Sequence, residues 1–255
     1  MHLCIRYAFC NTFMHKRKAL CMKKKLKMIG ISILIVILAL FGMWKLINSR
    51  TFQLFGGITD KVETSQKVIA LTFDDGPTKN VDDILALLDR YNAKATFFLI
   101  GSDLEKNLDE AKKIVAAGHQ IGNHTYSHQR MVFRSPSFIK NEIEKTDKLI
   151  RKAGYSGEID FRPPYGKKLV GVPYYLYTHN RDTITWDIEP DTYYTSSKDK
   201  INYVIKNVKP GSIILMHPMY DQSGEELRAI EGILQSLSKE GYKFITVNEL
   251  QGLEK

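Results

Sequence analysis

The sequence predicts an α/β fold, a parallel barrel of βα units that follows one apolar N-terminal segment. Two observations support this prediction. From residue 68 onward, short runs rich in β-branched and aromatic residues alternate with segments of helical spacing, which is typical of parallel βα units. No Gly-x-Gly-x-x-Gly follows the first predicted strand, so a dinucleotide-binding open sheet loses its strongest support. A barrel, closed or incomplete, is therefore favoured.

Residues 1–27 are predicted to be a cytoplasmic basic leader, and residues 28–47 a single transmembrane anchor. The uncharged run from Met28 to Trp44, extended beyond Lys45, reaches about the twenty residues that a bilayer core requires. Basic residues before the run keep that end in the cytoplasm, so the chain after it is predicted to be extracytoplasmic. A cleaved signal peptide is the competing interpretation, but no convincing Ala-x-Ala site follows the run. Met22 begins a conventional leader of its own, which leaves open whether residues 1–21 are translated.

The formal net charge of +9 belongs to this N-terminal segment. Nine of the 37 basic residues lie within residues 1–47, and the 28 that remain balance 28 acidic residues. Nucleic-acid binding therefore loses its main support, and no nucleic-acid partner is predicted. The cysteines Cys4, Cys10 and Cys21 all precede the apolar run, so the exported part must fold without disulfides.

Residues 48–66 are polar and aperiodic and are predicted to be a linker, which leads into one extracytoplasmic domain over residues 67–255. Helical spacing is clear over 81–88 and 104–115. The runs that predict strands are 68–73, 95–100, 159–161, 183–186, 212–216 and 243–247.

Two adjacent carboxylates, Asp74 and Asp75, close the first predicted strand and precede a turn-forming Gly76-Pro77. An aspartate in a turn commonly bonds only its own backbone. In a parallel barrel, however, catalytic groups lie where strands end and loops begin, so other strand ends decide between the two interpretations.

Three further strand ends carry polar groups. His124 and His128 follow a short apolar stretch, and on one helical turn or a tight loop their spacing directs both imidazoles the same way, as two ligands of one metal ion require. Either Asp75 or Asp74 could complete a three-ligand site. The alternative interpretation is that both histidines are ordinary exposed surface residues. Arg162, before two prolines, and His217, after a strongly apolar strand, end two later strands. Together these groups predict metal-assisted hydrolysis.

The sequence resembles the polysaccharide deacetylases with the NodB homology domain, carbohydrate esterase family 4 (CE4). The likeness runs from about Val68 to Leu250 and is carried by four segments, which read TFDDGP at 72–77, HTYSH at 124–128, RPPYG at 162–166 and LMH at 215–217. The resemblance implies a deformed (β/α) barrel and a hydrolase of linear amides that removes acetyl groups from N-acetylated sugars.

By matching position, the resemblance implies that Asp75, His124 and His128 bind a divalent metal ion, Zn²⁺ or else Co²⁺. It implies that Asp74 is the general base, which Arg162 holds in place and keeps ionised.

The resemblance further implies that the backbone N–H of Tyr165 stabilises the oxyanion and that His217 protonates the departing amine. One segment departs from the family. Relatives usually show Asp-x-x-Asp-Trp after the fifth strand, whereas residues 186–193 read WDIEPDTY. The acidic partner of His217 is then Asp187, Glu189 or Asp191, and Asp191 is favoured.

The sequence thus predicts a single-pass protein of the cell membrane that removes N-acetyl groups from N-acetylglucosamine residues of a cell-surface polysaccharide, with peptidoglycan favoured. Its predicted partners are the N-acetylated glycan and, through residues 28–47, the cytoplasmic membrane. Chitooligosaccharides, other exopolysaccharides, N-acetylmuramic acid and O-acetylated xylan remain alternative substrates. A non-catalytic glycan-binding protein on the same fold is an alternative of another class. The metal, the glycan and the oligomeric state are left open.

Overall fold

The computed structural model describes residues 2–254, with side chains from Met22 to Leu253. The described chain forms two compact units that meet between Lys45 and Leu46. The side chains of Cys4, Cys10 and Cys21 lie outside the described residues, as do the side chains of most of the predicted basic leader.

The described part of the first unit lies in helix α1 (His2–Asn48), whose last three residues, 46–48, belong to the second unit. Within it, Met22–Asn48 has a mean hydropathy of 2.5 and is long and apolar enough to cross a membrane. A signal sequence near the N-terminus has the same properties. The single apolar N-terminal helix is confirmed, whereas its role as an uncleaved anchor stays a prediction.

The second unit is a ring of short parallel strands surrounded by helices. Its strands are β1 (Ile58–Thr59), β2 (Val68–Asp74), β3 (Ala95–Leu99), β4 (Gln120–Asn123), β5 (Thr183–Ile184), β6 (Ile213–Met216) and β7 (Lys243–Phe244). Its helices are α2 (Val81–Arg90), α3 (Gly101–Lys106), α4 (Leu108–Ala116), α5 (Pro136–Lys152), α6 (Gly171–Thr178), α7 (Ser197–Asn207), α8 (Glu225–Lys239) and α9 (Val247–Gln251).

The strand order β4-β3-β2-β6 is parallel throughout, and single parallel bridges complete the ring. Phe161 bridges Asn123 of β4 to Thr183 of β5, and Ile188 bridges to Ile214 of β6. Strand β7 pairs only with the first residues of β2, and β1 pairs with β5. This irregular closure confirms the predicted deformed (β/α) barrel.

Successive side chains of β2 point to opposite faces of the strand, so β2 contributes residues to two separate hydrophobic clusters. Ile69, Leu71 and Phe73 are buried in the cluster beneath the helices, whereas Val68 and Ala70 belong to the cluster inside the barrel. By the same alternation, the side chains of residues 72 and 74 point into the barrel. The last residue of β2 therefore presents its side chain inside the ring, at the carboxyl end of the strands.

The structure differs from the prediction in several elements. The run 159–161, predicted as a strand, contributes only the isolated bridges of Phe161. Strand β4 lies outside the predicted runs because its only strongly apolar residue is Ile121, although all four of its residues are buried. The predicted helix over 104–115 is divided into α3 and α4 at Asn107, whose side-chain amide donates to the Pro77 carbonyl at 2.9 Å. The helix break thus supports the loop that follows β2.

Part of the predicted linker is packed onto the barrel. It contains β1, and its Val62 is 1% exposed. The Val62 amide donates to the Gly211 carbonyl at 2.9 Å. The polar composition of this segment gave no signal for either contact. The bounds proposed for the linker and the domain stay predictions.

Gly211 should be essential for this packing. Its φ is +84°, and a Cβ there would lie 1.7 Å from the Val62 carbonyl oxygen. We expect Gly211→Ala to lower the free energy of unfolding by on the order of 3 kcal/mol, from backbone strain plus overlap. Gly154→Ala is the matched control, because its φ is +94° but nothing lies within 4 Å of the added Cβ. Denaturant unfolding of the full chain in detergent measures both, and equal losses would contradict the overlap argument.

Candidate active site

The turn after β2 separates the two adjacent aspartates. Asp74 is the last residue of the strand and is 2% exposed inside the barrel. Asp75 adopts a left-handed φ of 75°, and its amide donates to the Phe98 carbonyl of β3 at 3.1 Å. A non-glycine residue in this region is uncommon, and such strain concentrates at functional sites. The turn lets neighbouring carboxylates enter different environments.

Arg162 is fully buried and binds Asp74 directly. Its Nη1 lies 2.6 Å from Asp74 Oδ1 and also donates to Thr72 Oγ1 at 2.9 Å. Its Nη2 donates to the Thr185 carbonyl at 3.0 Å. The guanidinium carbon lies 4.0 Å from the centroid of the Phe98 ring. These contacts fix the guanidinium plane, as a buried cation requires.

This environment keeps Asp74 ionised. Burial raises the pKa of the Asp74 carboxyl, but the charge of Arg162, followed by the neighbouring imidazoles of His124 and His217, outweighs burial and holds the pKa below its usual value. At neutral pH Asp74 is therefore a carboxylate whose Oδ2 faces His124 Nε2 at 3.6 Å.

Asp75, His124 and His128 converge, and their ligating atoms all lie within 4.8 Å of one another. His128 Nε2 is 3.4 Å and His124 Nε2 is 3.9 Å from Asp75 Oδ1. The Nδ1 of His124 lies 2.8 Å from the Arg162 carbonyl, which can only accept, so Nδ1 carries the proton and Nε2 presents a lone pair.

These donors fit a divalent cation. The buried Asp75 Oδ1 has no hydrogen-bond partner among the described residues and faces two imidazole nitrogens. Lone pairs directed at one another are stabilised when a cation lies between them. Burial, followed by the neighbouring His124, lowers the pKa of His128, which favours the neutral imidazole that binds metal.

The histidine pair lies on a tight loop, one of the two geometries that the spacing allowed. Thr125 and His128 both have positive φ, at 65° and 54°. The buried Glu142 of α5 accepts from the amides of Tyr126 and Ser127, at 3.1 and 2.8 Å. The sequence gave no signal for Glu142, because a single glutamate on an amphipathic helix is typical of the exposed face.

His217 follows β6 and is held by Asp191. The Nδ1 and the backbone amide of His217 both lie 3.0 Å from Asp191 Oδ2. The ammonium of Lys200 is 2.9 Å from Asp191 Oδ1 and also contacts Glu226. Burial lowers the pKa of His217, but the bond to Asp191 and the charge of Asp74 outweigh it and raise the pKa to about 9. His217 is therefore a cation at neutral pH.

The other two acidic candidates have different partners. Asp187 accepts from the Ser212 hydroxyl and the Ile213 amide, both at 2.8 Å. Glu189 accepts from the Trp186 indole at 2.9 Å and pairs with Arg50 at 3.2 Å. Among the three acids, only Asp191 bonds to the imidazole of residue 217.

Tyr165 lies in a short 3₁₀ turn, Pro164–Gly166, that follows Arg162. Its φ of 59° is left-handed, and its ring centroid is 4.8 Å from that of His128. The side chain is 53% exposed. The two preceding prolines stiffen this turn, so the Tyr165 backbone is fixed beside the imidazoles.

These groups line one cleft of about 580 Å³. The predicted site residues on its wall are Asp74, Asp75, His124, His128, Tyr165 and His217. Arg162 and Asp191 do not line the cleft, but they bond to Asp74 and His217, which do. Tyr174, Tyr175 and Tyr177 lie on α6, and none of them lines the cleft. The sequence gave no signal for Arg50 or Lys200, which lie in segments without any recognisable pattern.

Comparison with known proteins gives consistent matches. A family model described as polysaccharide deacetylase matches residues 61–182. The peptidoglycan-N-acetylglucosamine deacetylase of Bacillus cereus is 34% identical over 205 residues, which cover 76% of this chain and 93% of that protein.

Two solved structures share the fold. The Bc1960 peptidoglycan N-acetylglucosamine deacetylase is 33% identical with a TM-score of 0.71, over 75% of this chain and 91% of that one. The wild-type BA3943 protein of Bacillus anthracis, described as a CE4 family pseudoenzyme, is 30% identical with a TM-score of 0.68, over 76% and 68%. Sequence, fold and site geometry agree, and the chain belongs to the polysaccharide deacetylases of carbohydrate esterase family 4, with the NodB homology domain.

Proposed function

We propose that this protein is a metal-dependent hydrolase that removes N-acetyl groups from N-acetylglucosamine residues of peptidoglycan. The observation that carries the proposal is the convergence of Asp75, His124 and His128 beside the ionised, arginine-bound Asp74. This arrangement supplies three metal ligands and a separate base in one cleft.

Asp75, His124 and His128 are the proposed ligands. Two imidazoles and one carboxylate suit Zn²⁺ best, and Co²⁺ accepts the same donors. When bound, such an ion supplies Lewis-acid polarisation of the acetamide carbonyl and a lowered pKa for water.

Asp74 is the proposed general base. Its depressed pKa keeps the carboxylate ready to accept a proton from the attacking water, while Arg162 occupies Oδ1 and leaves Oδ2 toward the cleft. The water oxygen forms the new bond to the acetamide carbon, and the Tyr165 N–H is proposed to stabilise the oxyanion.

His217 is the proposed general acid. Its Nδ1 is engaged by Asp191, so Nε2 remains the ring nitrogen that could donate into the cleft. Protonation of the amide nitrogen allows the C–N bond to break, which yields acetate and a free sugar amine.

The anchor proposal places this chemistry outside the cell membrane. Residues 28–47 would span the cytoplasmic membrane, with the leader 1–27 inside and the linker 48–66 and NodB-type domain 67–255 outside. The lysines before the apolar helix support this orientation. The cleft would then lie beside the cell wall. The Bacillus cereus relative is named as a deacetylase of peptidoglycan, which is a cell-wall polymer.

Glycan binding without turnover is the second candidate, because a CE4 pseudoenzyme is among the similar structures. Acetate release by the full chain in detergent, with Zn²⁺ added, tests both. We expect release from peptidoglycan that stops after chelation and returns with Zn²⁺. Metal binding without acetate from peptidoglycan, chitooligosaccharides or acetylated xylan would favour the binding protein.

Asp74→Asn should abolish most turnover but retain the metal. Loss of a general base typically costs 10²–10⁴-fold in rate, and the asparagine oxygen can still accept from Arg162. Acetate release gives kcat, and elemental analysis gives the metal content. Asp82→Asn is the control, because Asp82 is an exposed aspartate that pairs with Lys113. Loss of metal in Asp74→Asn would reverse the roles assigned to the two adjacent aspartates.

His128→Ala should weaken metal binding directly. Removal of one of three ligands should lower metal affinity by more than roughly tenfold, since loss of a supporting hydrogen bond alone has about that effect. Competition with a chromogenic chelator measures the affinity. His179→Ala is the matched control, because His179 is exposed and stacks on Tyr175. Equal affinity in the two variants would exclude His128 as a ligand.

The pH profile should report the protonated His217. Activity requires the imidazolium, so kcat/KM should fall as pH rises through a pKa no higher than about 9. Asp191→Asn removes the carboxylate charge and weakens the hydrogen bond that together raise this pKa, so the alkaline limb should move down by roughly one unit or more. Asp187→Asn is the control, because Asp187 bonds to Ser212 and not to the imidazole. An unmoved limb in Asp191→Asn would argue against His217 as the acid.

A further inference from the structure

Three cations lie in the wall of the cleft or next to it. Arg50 and Lys167 line the cleft itself, and the Arg130 guanidinium lies 5.3 Å from the ring centroid of Tyr165, which also lines it. We name Arg50, Lys167 and Arg130 the cationic rim. None of these residues has a part in the hydrolysis described above.

Arg50 is held in place. Its guanidinium lies 4.9 Å from the Trp186 ring centroid and 3.2 Å from Glu189 Oε2. Its carbonyl accepts from the Thr185 hydroxyl at 2.6 Å. The Arg50 side chain nevertheless keeps 39% of its surface exposed. A fixed, partly exposed guanidinium is preorganised to bind a second anion with its remaining donors.

The rim carries more positive than negative charge. Glu189 is the carboxylate that faces Arg50, and neither Lys167 nor Arg130 forms an ion pair within 4 Å among the described residues. Burial, followed by the charges of Arg130 and Arg50, lowers the pKa of Lys167. By contrast, the buried cations Arg162 and Lys200 are each paired with carboxylates.

Like charges brought together at a ligand cleft are stabilised when an anion binds between them. The cleft should hold an acetamido group against Asp75, Asp74 and His217, so the rim would contact a neighbouring part of the same glycan. A guanidinium and an ammonium match a carboxylate or a phosphate. The peptidoglycan of the proposed function carries carboxylates on its muramic acid residues.

We propose that the cationic rim binds a carboxylate substituent of the glycan next to the acetamido group, so that the preferred substrate is an anionic, muramic acid-containing polymer rather than neutral chitin. This inference rests on the proposed function, which sets where the acetamido group lies. Arg50 and Lys167 are then specificity residues, and Arg130 contributes to the field at longer range.

The test compares two soluble oligomers of equal length with the full chain in detergent. One is an uncharged chitooligosaccharide, and the other alternates N-acetylglucosamine with N-acetylmuramic acid. Binding is measured by calorimetry on the Zn²⁺-loaded Asp74→Asn variant, so that turnover does not interfere. Acetate release by the unmodified chain gives kcat/KM for both oligomers.

We expect tighter binding of the anionic oligomer, by roughly fivefold or more at low ionic strength, with the preference lost near 1 M salt. On the same background, Arg50→Gln and Lys167→Gln should each lower the ratio of affinities several-fold, whereas Arg50→Lys, which keeps the charge but loses the preorganised guanidinium, should retain part of it. Arg90→Gln is the matched control, because Arg90 is an exposed arginine paired with Glu231 and distant from the cleft wall.

A ratio near one that neither salt nor these variants change would overturn the inference. So would an equal loss in Arg50→Lys and Arg50→Gln, since Arg50 would then act only through packing on Trp186. Melting temperatures of the variants identify unfolding. Acetate release without any preference would overturn the inference and support the proposed function. Preferential binding with no acetate from either oligomer would overturn the function and support the anionic subsite.

Discussion

The buried ion pair between Arg162 and Asp74 is the interaction on which the rest of the site depends. Removal of two charges from water costs several kcal/mol per ion, so the pair is tolerated only with further polar contacts. Those contacts come from the hydroxyl of Thr72 on β2 and the carbonyl of Thr185 beside β5, while Phe98 of β3 lies beneath the guanidinium. Three strands must therefore converge before the carboxylate can be accommodated.

This constraint explains how adjacent aspartates acquire different chemistry. Asp74 is ionised and oriented through the bond from Arg162 to its Oδ1, whereas the buried Oδ1 of Asp75 is directed at His124 and His128 without a hydrogen-bond partner among the described residues. Arg162 links both halves, because its guanidinium binds the first carboxylate and its carbonyl orients the imidazole of His124. One residue therefore positions both the base, through its side chain, and a metal-ligand candidate, through its backbone.

The sequence predicted the residues that end strands, and the family resemblance implied the supporting roles of Arg162 and Asp191, but other supporting residues gave no signal. Asp74, His124 and His217 were recognisable because parallel strands bring their carboxyl ends to one edge, so polar residues there must meet. Lys200 and Glu142 gave no signal, since their burial depends on how α7 and α5 pack against loops distant in sequence. Arg50 was hidden for the same reason. Its place in the cleft wall depends on contacts with Trp186 and Glu189, more than 130 residues away.

The start of the folded unit bears on the anchor proposal. Lys168 is 1% exposed, and its ammonium donates to the Ser49 carbonyl. Burial, followed by the charge of Lys167, lowers the pKa of Lys168 to about 8, so at neutral pH it stays charged and needs this acceptor. Cleavage between residues 50 and 66 would remove the acceptor and leave a buried cation unsatisfied. A chain that keeps Ser49 therefore keeps the partner of Lys168, and the adjacent Asn48 and Arg50 form part of the cleft wall.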